Sequence, residues 1–305
     1  NRFLENLMTK KFDILEQVKQ IKTEKDEYFT LSIGLGIGGK TLTQQYENSL
    51  GALSIALGRG GDQAVVKGLT KVTYFGGRSK AVEKSTKVKA RIIANALRQI
   101  IAQSSNIIIT GHKSGDMDSF GAALGIHAIA KAMNKDAYII LNKMNPELKS
   151  VFERIKADGM DYSKTIIDNE DALRVINENT LGVMVDTHRP SFTEAADILD
   201  KIDRVVLIDH HRRGEEYLDD PVLDYLEPYA SSTCELIAEL FQYMNDQISL
   251  TKFEADVMLA GIIMDTNAFT FKTGVRTFEA ASFLKRAGAD TVDAKRLLSD
   301  ELETW

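Results

Sequence analysis

Apolar positions in the first third of the chain recur at helical and strand spacings in turn. Phe3, Leu7, Phe12, Leu15 and Val18 form an approximate stripe that predicts a helix over 3–22. Residues 28–37 (YFTLSIGLGI) read as a strand running into glycine. Residues 43–57 read as a helix ended by Gly58-Arg59-Gly60-Gly61, and 63–67 with 71–75 as a short hairpin. This is a small α+β unit, followed by a long helical connector over 79–103. The Gly58–Gly61 segment lacks the Lys-Ser/Thr of a phosphate-binding P-loop and reads as a tight turn.

From Asn106 the pattern changes. Short apolar, β-branched runs at 106–110, 137–141, 164–167, 181–185 and 204–208 alternate with helical patterns at 119–133, 146–157, 169–177 and 193–201. Buried strands alternating with helices indicate βαβ units and an α/β fold with a mainly parallel sheet flanked by helices. Residues 231–300 read as largely helical.

Charge divides the chain in the same place. Residues 1–105 hold 17 Lys/Arg against 9 Asp/Glu, whereas residues 106–305 hold 21 against 35. An acidic second part argues against a grip on long nucleic acid, which needs cationic surface, and suits a carboxylate-rich metal site. The basic stretch Arg78–Arg98 reads as a solvated helix face. A single cysteine, Cys234, excludes a disulfide within the chain. The absence of any run of roughly 20 apolar residues and of a signal-peptide pattern leads to the expectation of a soluble piece in the cytosol. Because the chain opens at Asn1 in mid-pattern, it is expected to be a fragment.

The chemistry gathers where strands end. The first strand of the second part runs into Gly111-His112-Lys113-Ser114-Gly115-Asp116-Met117-Asp118, the fourth into Asp186-Thr187-His188-Arg189-Pro190, and the fifth into Asp209-His210-His211-Arg212-Arg213. In an open parallel sheet these carboxyl-end loops line the ligand crevice. Asp265 adds an acid inside the apolar stretch AGIIMDTNAF, where a carboxylate is costly unless paired or bound to a cation. Four carboxylates (Asp116, Asp118, Asp186, Asp265) and two imidazoles (His112, His210) would be balanced by two divalent cations. Oxygen donors with some imidazole suit Mn²⁺ or Mg²⁺. Two ions roughly 3.5–4 Å apart stabilise both attacking and leaving oxygens in phosphoryl transfer.

These segments resemble the signature motifs of the DHH phosphoesterase superfamily, and within it the GdpP-type cyclic-di-AMP phosphodiesterases. The motifs GHKSGDMDSFGAA, VDTHRPS, DHHRRGEE, EPYASSTCEL and MDTNAFTFKTGVRTFEAASFL are similar to that family in order and detail. The segments YFTLSIGLGI and GRGGDQAVVK resemble the second half of a degenerate GGDEF domain. The resemblance implies a partial GGDEF-like domain over 1–78, a connector over 79–105 and a DHH domain over 106–305, with the DHH-associated substrate domain absent from these residues.

Residue by residue, it implies that His112 and Asp116 bind one Mn²⁺, that Asp118, His210 and Asp265 bind a second, and that Asp186 bridges them. His211 would position phosphate or protonate a leaving oxygen. The implied reaction opens cyclic-di-AMP to linear pApA. A nanoRNase or RecJ-like hydrolysis of short linear oligonucleotides uses the same chemistry, and an inorganic pyrophosphatase a related site. The GGDEF-like unit could instead serve as a regulatory nucleotide-sensing module, and such units often pair, which implies a homodimer. The longer protein is expected to be anchored in the cell membrane through segments outside these residues. Gly115 stands where the family often has proline, which alters loop stiffness and leaves the ligand chemistry intact.

Other residues stay open at this level. Ser231, Ser232 and Thr233 suit either a phosphate at a helix start or a cap beside a buried Cys234 thiol. Arg212, Arg213 and Arg276 suit either phosphate or surface acids. His188 suits a functional group or a loop cap, and His127 a packed bystander. The N-terminal unit lacks a cyclase signature loop. Incubation of the protein with GTP is therefore expected to yield no cyclic-di-GMP on chromatography, and any such product would overturn that reading.

Overall fold

A computed structural model of the chain describes residues 7–21, 29–58, 62–68, 71–76, 80–143, 145–244 and 249–298. The chain divides into two compact units, Asn1–Thr86 with Phe271–Gly274 and Lys87–Thr270 with Val275–Trp305.

In the first unit, helix α1 spans Ile14–Lys19, strand β1 Ile33–Gly36, helix α2 Leu42–Gly58, and strands β2 and β3 Gln63–Lys67 and Val72–Gly76. The sheet runs β1-β2-β3, parallel then antiparallel, so the expected hairpin forms. Gly34 and Gly36 let α2 lie directly on β1: a Cβ on either would come within 2.3 Å or 2.4 Å of the helix backbone. The expected helix over 3–22 is broken within its described part. Lys11 and Phe12 take left-handed backbone, with φ of 50° and 55°. The break turns Phe12 into the core, where its ring meets Phe75 at 4.9 Å. The turn residues Arg59–Gly61 lie outside the described residues.

The second unit holds a six-stranded sheet, all parallel, in the order β6-β5-β4-β7-β8-β9. Its strands are β4 Asn106–Thr110, β5 Asp136–Ile140, β6 Ile166–Ile167, β7 Leu181–Val185, β8 Arg204–Asp209 and β9 Leu223–Leu226. Both faces are covered, which is why the strands read as continuous apolar runs. Ile107, Ile109, Val183, Val185, Val206 and Ile208 face the larger core, together with Ala90, Leu97 and Ile101 of helix α3, Lys80–Ala102. Ile108, Met184, Val205 and Leu207 face the smaller one. There they meet Ala172 of helix α6, Asn169–Val175, and Ile198 of helix α7, Ala196–Leu199. Helix α5 covers Lys149–Ala157. Strand β9 was not anticipated: Pro221 and the alternation of exposed Asp224 with buried Tyr225 disguise it.

Helix α4, Met117–Ala132, is buried almost throughout, as its apolar sequence requires. It is crossed by helices α8, Thr233–Phe241, and α9, Lys252–Asp265; helices α10, Val275–Arg286, and α11, Thr291–Leu297, complete the layer. The crossing is close because glycines line it. A Cβ on Gly121 would lie 2.8 Å from Cys234 Sγ, and one on Gly261 would lie 2.8 Å from Asp118 Cα. No described helix is long and apolar enough to cross a membrane.

Strands β4 to β6 run to one side and β7 to β9 to the other, so the order reverses between β4 and β7. At such a switch point the loops part and leave a crevice. Gly261→Ala is expected to lower stability by about 1–3 kcal/mol in urea unfolding, because overpacking the crossing outweighs the helix-propensity gain of about 1 kcal/mol. An unchanged midpoint would mean that the crossing has slack.

Candidate metal centre

Six ionisable side chains converge at the crevice, each placed by a local device. Asp116 caps α4: its Oδ1 accepts the amides of Asp118 and Ser119, both at 3.0 Å, leaving Oδ2 turned towards His112. Asp118, in the first turn of α4, is buried. Its Oδ2 and Oδ1 accept the Thr233 and Cys234 amides at 2.7 and 2.9 Å, at the start of α8. A carboxylate at that point is stabilised by free amides and by the positive end of the helix.

Asp186 follows β7 with a left-handed backbone, φ 59°, a conformation that Asp tolerates better than most residues. Its Oδ1 also accepts the Thr233 hydroxyl at 2.9 Å. Its two oxygens face different imidazoles: Oδ2 lies 3.5 Å from His112 Nε2 and Oδ1 3.5 Å from His210 Nε2. His210 Nε2 is also 3.1 Å from Asp265 Oδ2 and 3.8 Å from Asp118 Oδ2. Asp265 is the last residue of α9 rather than interior to it. There it sits at the negative end of the helix, a place that favours a cation.

His112 donates Nδ1–H to the Lys113 carbonyl, 2.9 Å away, which directs Nε2 inward. Phe192 stacks on its ring at 5.7 Å, and the Arg189 guanidinium lies 4.7 Å above Phe192. The loops after β4 and β7 are joined by the Lys113 amide to the Phe192 carbonyl at 2.7 Å.

Three sets of donors result: His112, Asp116 and Asp186; Asp118, His210 and Asp265; and Asp186, His210 and His211. Within each, the ligand atoms lie within 4.8 Å of one another. The donors are carboxylate oxygen and imidazole nitrogen, a fit for hard or borderline divalent ions. Cys234, the lone thiol, is turned away with its Sγ against the Asp118 carbonyl. His210 Nδ1 is buried without a hydrogen-bond partner among the described residues, so the ring depends on what Nε2 meets.

The protein alone balances these acids with protons. Burial pushes the Asp118 carboxyl well up, and the neighbouring Asp186 and Asp265 add to it. Burial works against a charged His112, but Asp116 and Asp186 outweigh it and raise the ring to about 11. His210 is raised in the same way against its burial, by Asp186 and Asp265. For Asp186, burial is outweighed by bonds from His112 and His210, which hold it below the usual carboxylate range.

Sequence reasoning missed Asp209. It is fully buried; its Oδ1 accepts the His211 backbone amide at 3.0 Å and Nδ1–H at 2.8 Å. Burial would raise its carboxyl, but hydrogen bonds from His188 and His211 hold it at about 2. The signal was the first letter of the Asp-His-His triplet itself.

Several substrate candidates are turned inward. The Ser231 hydroxyl is bonded to Glu235, the Ser232 hydroxyl caps the Glu235 amide at 3.0 Å, and the Thr233 hydroxyl meets Asp186. All three residues are fully buried, with their hydroxyls engaged inside the protein. Arg276 is likewise buried, bonded to Glu239 with Glu227 and Glu235 nearby. Ser232 caps α8, and Arg276 pairs with buried rather than surface acids. Arg212 is exposed, and Arg213 lies 3.8 Å over the Tyr217 ring in the loop after His211.

Comparison with known proteins bears on this geometry. The model of the DHH family, N-terminal domain, matches residues 106–262. The model of the cyclic-di-AMP phosphodiesterase GdpP-like GGDEF domain matches residues 1–74. The chain is 43% identical to the cyclic-di-AMP phosphodiesterase GdpP of Bacillus subtilis and 42% identical to the cyclic-di-AMP phosphodiesterase PdeA of Listeria monocytogenes. Each comparison covers 99% of this chain and 46% of the relative. The chain thus spans about half the length of these curated relatives. Among solved structures, an exopolyphosphatase-related protein from Bacteroides fragilis superposes with a TM-score of 0.58 at 26% identity, over 68% of this chain and 60% of the other.

Divalent ions must displace the protons now shared among these groups. Because His112 is raised to about 11, it is protonated at neutral pH, and metal binding is expected to release protons and to tighten as pH rises. Calorimetric titration of Mn²⁺ in buffers of different ionisation enthalpy measures this. An affinity unchanged between about pH 6 and 9 would remove the imidazoles from the ligand set.

Proposed function

Because the chain belongs to the DHH family, we propose that it is a phosphodiesterase that opens cyclic-di-AMP to linear pApA with two Mn²⁺ ions. The observation that carries this reading is the Asp186 carboxylate, which faces His112 with one oxygen and His210 with the other. One side chain thereby serves two donor sets. In this reading His112 and Asp116 hold one ion, Asp118, His210 and Asp265 hold the second, and Asp186 lies between them. Asp118 already accepts two amides, but an ionised carboxylate offers about four lone-pair positions and keeps room for a cation.

Such ions, when bound, supply Lewis-acid charge and make a water acidic enough to ionise near neutral pH. The rest falls to the chain itself. His211 is half exposed, and its Nδ1–H is committed to Asp209. Its Nε2 therefore remains for the substrate; once it too is protonated, as the imidazolium, it steadies a phosphoryl oxygen or delivers that proton to the departing ribose oxygen. Arg212 and Arg213 offer positive charge to the phosphates from the same loop. Support for the substrate comes from the names of the two relatives above, and for Mn²⁺ or Mg²⁺ over zinc from a donor set without thiolate. The acidic surplus of residues 106–305 favours a small nucleotide over a long polymer.

Turnover of cyclic-di-AMP and of pApA by the 305-residue chain, with Mn²⁺ and with EDTA, tests the reading. Manganese-dependent opening of the cyclic compound is expected. Asp186→Asn should lower kcat by at least about 100-fold, a loss that residues merely supporting a metal ligand already reach. Rapid cleavage of pApA with the cyclic compound untouched would transfer the assignment to short linear oligonucleotides.

A further inference from the structure

His188 belongs to none of the donor sets, yet it is buried two residues after Asp186 and is fully engaged. Its Nε2 lies 2.9 Å from the Gly214 amide. A backbone amide can only donate, so Nε2 accepts and carries no proton. The ring proton therefore sits on Nδ1, which donates to Asp209 Oδ2 at 2.6 Å. Asp209 turns its other oxygen to His211, whose backbone amide and Nδ1–H both donate to it. One imidazole thus holds both ends of the segment Asp209–Gly214, which carries His210, His211, Arg212 and Arg213.

The surroundings keep the ring in place. Tyr217 packs on it at 5.4 Å between ring centres, and the His188 carbonyl accepts the Leu218 amide at 2.9 Å. Gly214 is part of the fit, since a Cβ there would lie 3.4 Å from His188 Nε2.

We propose that His188 is a positioning residue: it clamps the loop Asp209–Gly214 and, through Asp209, keeps the His211 proton on Nδ1 so that Nε2 faces the substrate. The chain of donors runs one way. With Asp209 Oδ2 filled by His188, only Oδ1 is left for His211. A different filling of Oδ2 would free the His211 ring to turn over. This rests on the proposed reading only where His211 is said to meet the leaving oxygen; the clamp itself stands on the hydrogen bonds.

Nitrogen-15 spectra of the imidazoles and two substitutions form the test. In the wild type Nδ1 should carry a proton on both His188 and His211, with Nε2 of His188 bare; an unprotonated Nδ1 on either ring, or Nε2–H on His188, would overturn the clamp whatever the enzyme acts on. His188→Phe keeps a ring on Tyr217 and loses both bonds. It is expected to lower kcat on cyclic-di-AMP about 10–100-fold, with KM within twofold and Mn²⁺ stoichiometry unchanged. It should leave cleavage of bis(p-nitrophenyl) phosphate within about threefold, because that leaving group needs no proton. His188→Asn, whose amide can still donate to Asp209, should recover most of the lost rate. An unchanged kcat in His188→Phe, an equal loss on both substrates, or a loss of bound metal would overturn the proposal. If the wild type cleaves only the nitrophenyl ester, the substrate reading fails while the tautomers still judge the clamp.

Discussion

Four carboxylates gathered within a few ångströms, two of them buried, set the terms for the rest of this fold. Like charges at such distances in a partly dry cleft repel strongly, and each loses hydration on burial. The fold holds them with fixed donors. The first amides of α8 take Asp118, the first amides of α4 take Asp116, and the Thr233 hydroxyl takes Asp186. Protons on His112 and His210 complete the balance, which makes the site a cage whose occupant is exchangeable. The same acids that would destabilise a dry core become ligands once a divalent cation can replace those protons.

The close packing of helices behind the site follows from this need. Asp118 reaches the start of α8 only because α4, α8 and α9 approach closely, with Gly121 and Gly261 where side chains would collide. Cys234 fits the remaining space, and its thiol is silenced: burial pushes it well up, with Asp118 adding to the effect. Backbone strain at Asp186 has the same origin. A left-handed residue at a strand end is costly, of order 1–3 kcal/mol, and is held here because it turns the carboxylate to the point where two imidazoles meet.

Much of this was legible in the sequence. Strands 106–110, 181–185 and 204–208 announce themselves because a sheet covered on both faces needs apolar residues at every position. The acids and histidines that follow them stand out because little else accounts for charge at the end of such strands. Legibility failed where a residue's partner comes from a distant segment. Arg276 reads as a partner for phosphate or for surface acids, yet it is spent on Glu239 and its neighbours in the interior. Ser231, Ser232 and Thr233 read equally well as anion site or cap, and only the burial of α8 decides. His188 was undecided for the same reason, since its acceptor and donor lie 21 and 26 residues further on. The early helix failed differently: its periodicity is sound, but Phe12 gains more by entering the core than by continuing the helix.

The strand order has a temporal consequence. Strand β4, which launches the first ligand loop, lies between β5 and β7, and its β7 neighbour starts only at residue 181. Pairing across such separations is slow, because loop closure must precede its reward. The candidate ligands stretch from His112 to Asp265. During synthesis the sheet is therefore largely translated before its last acid leaves the ribosome, and a growing polypeptide carries an unfinished anionic cradle for much of its emergence. A site that joins Asp265 to His112 cannot close until α9 has been made.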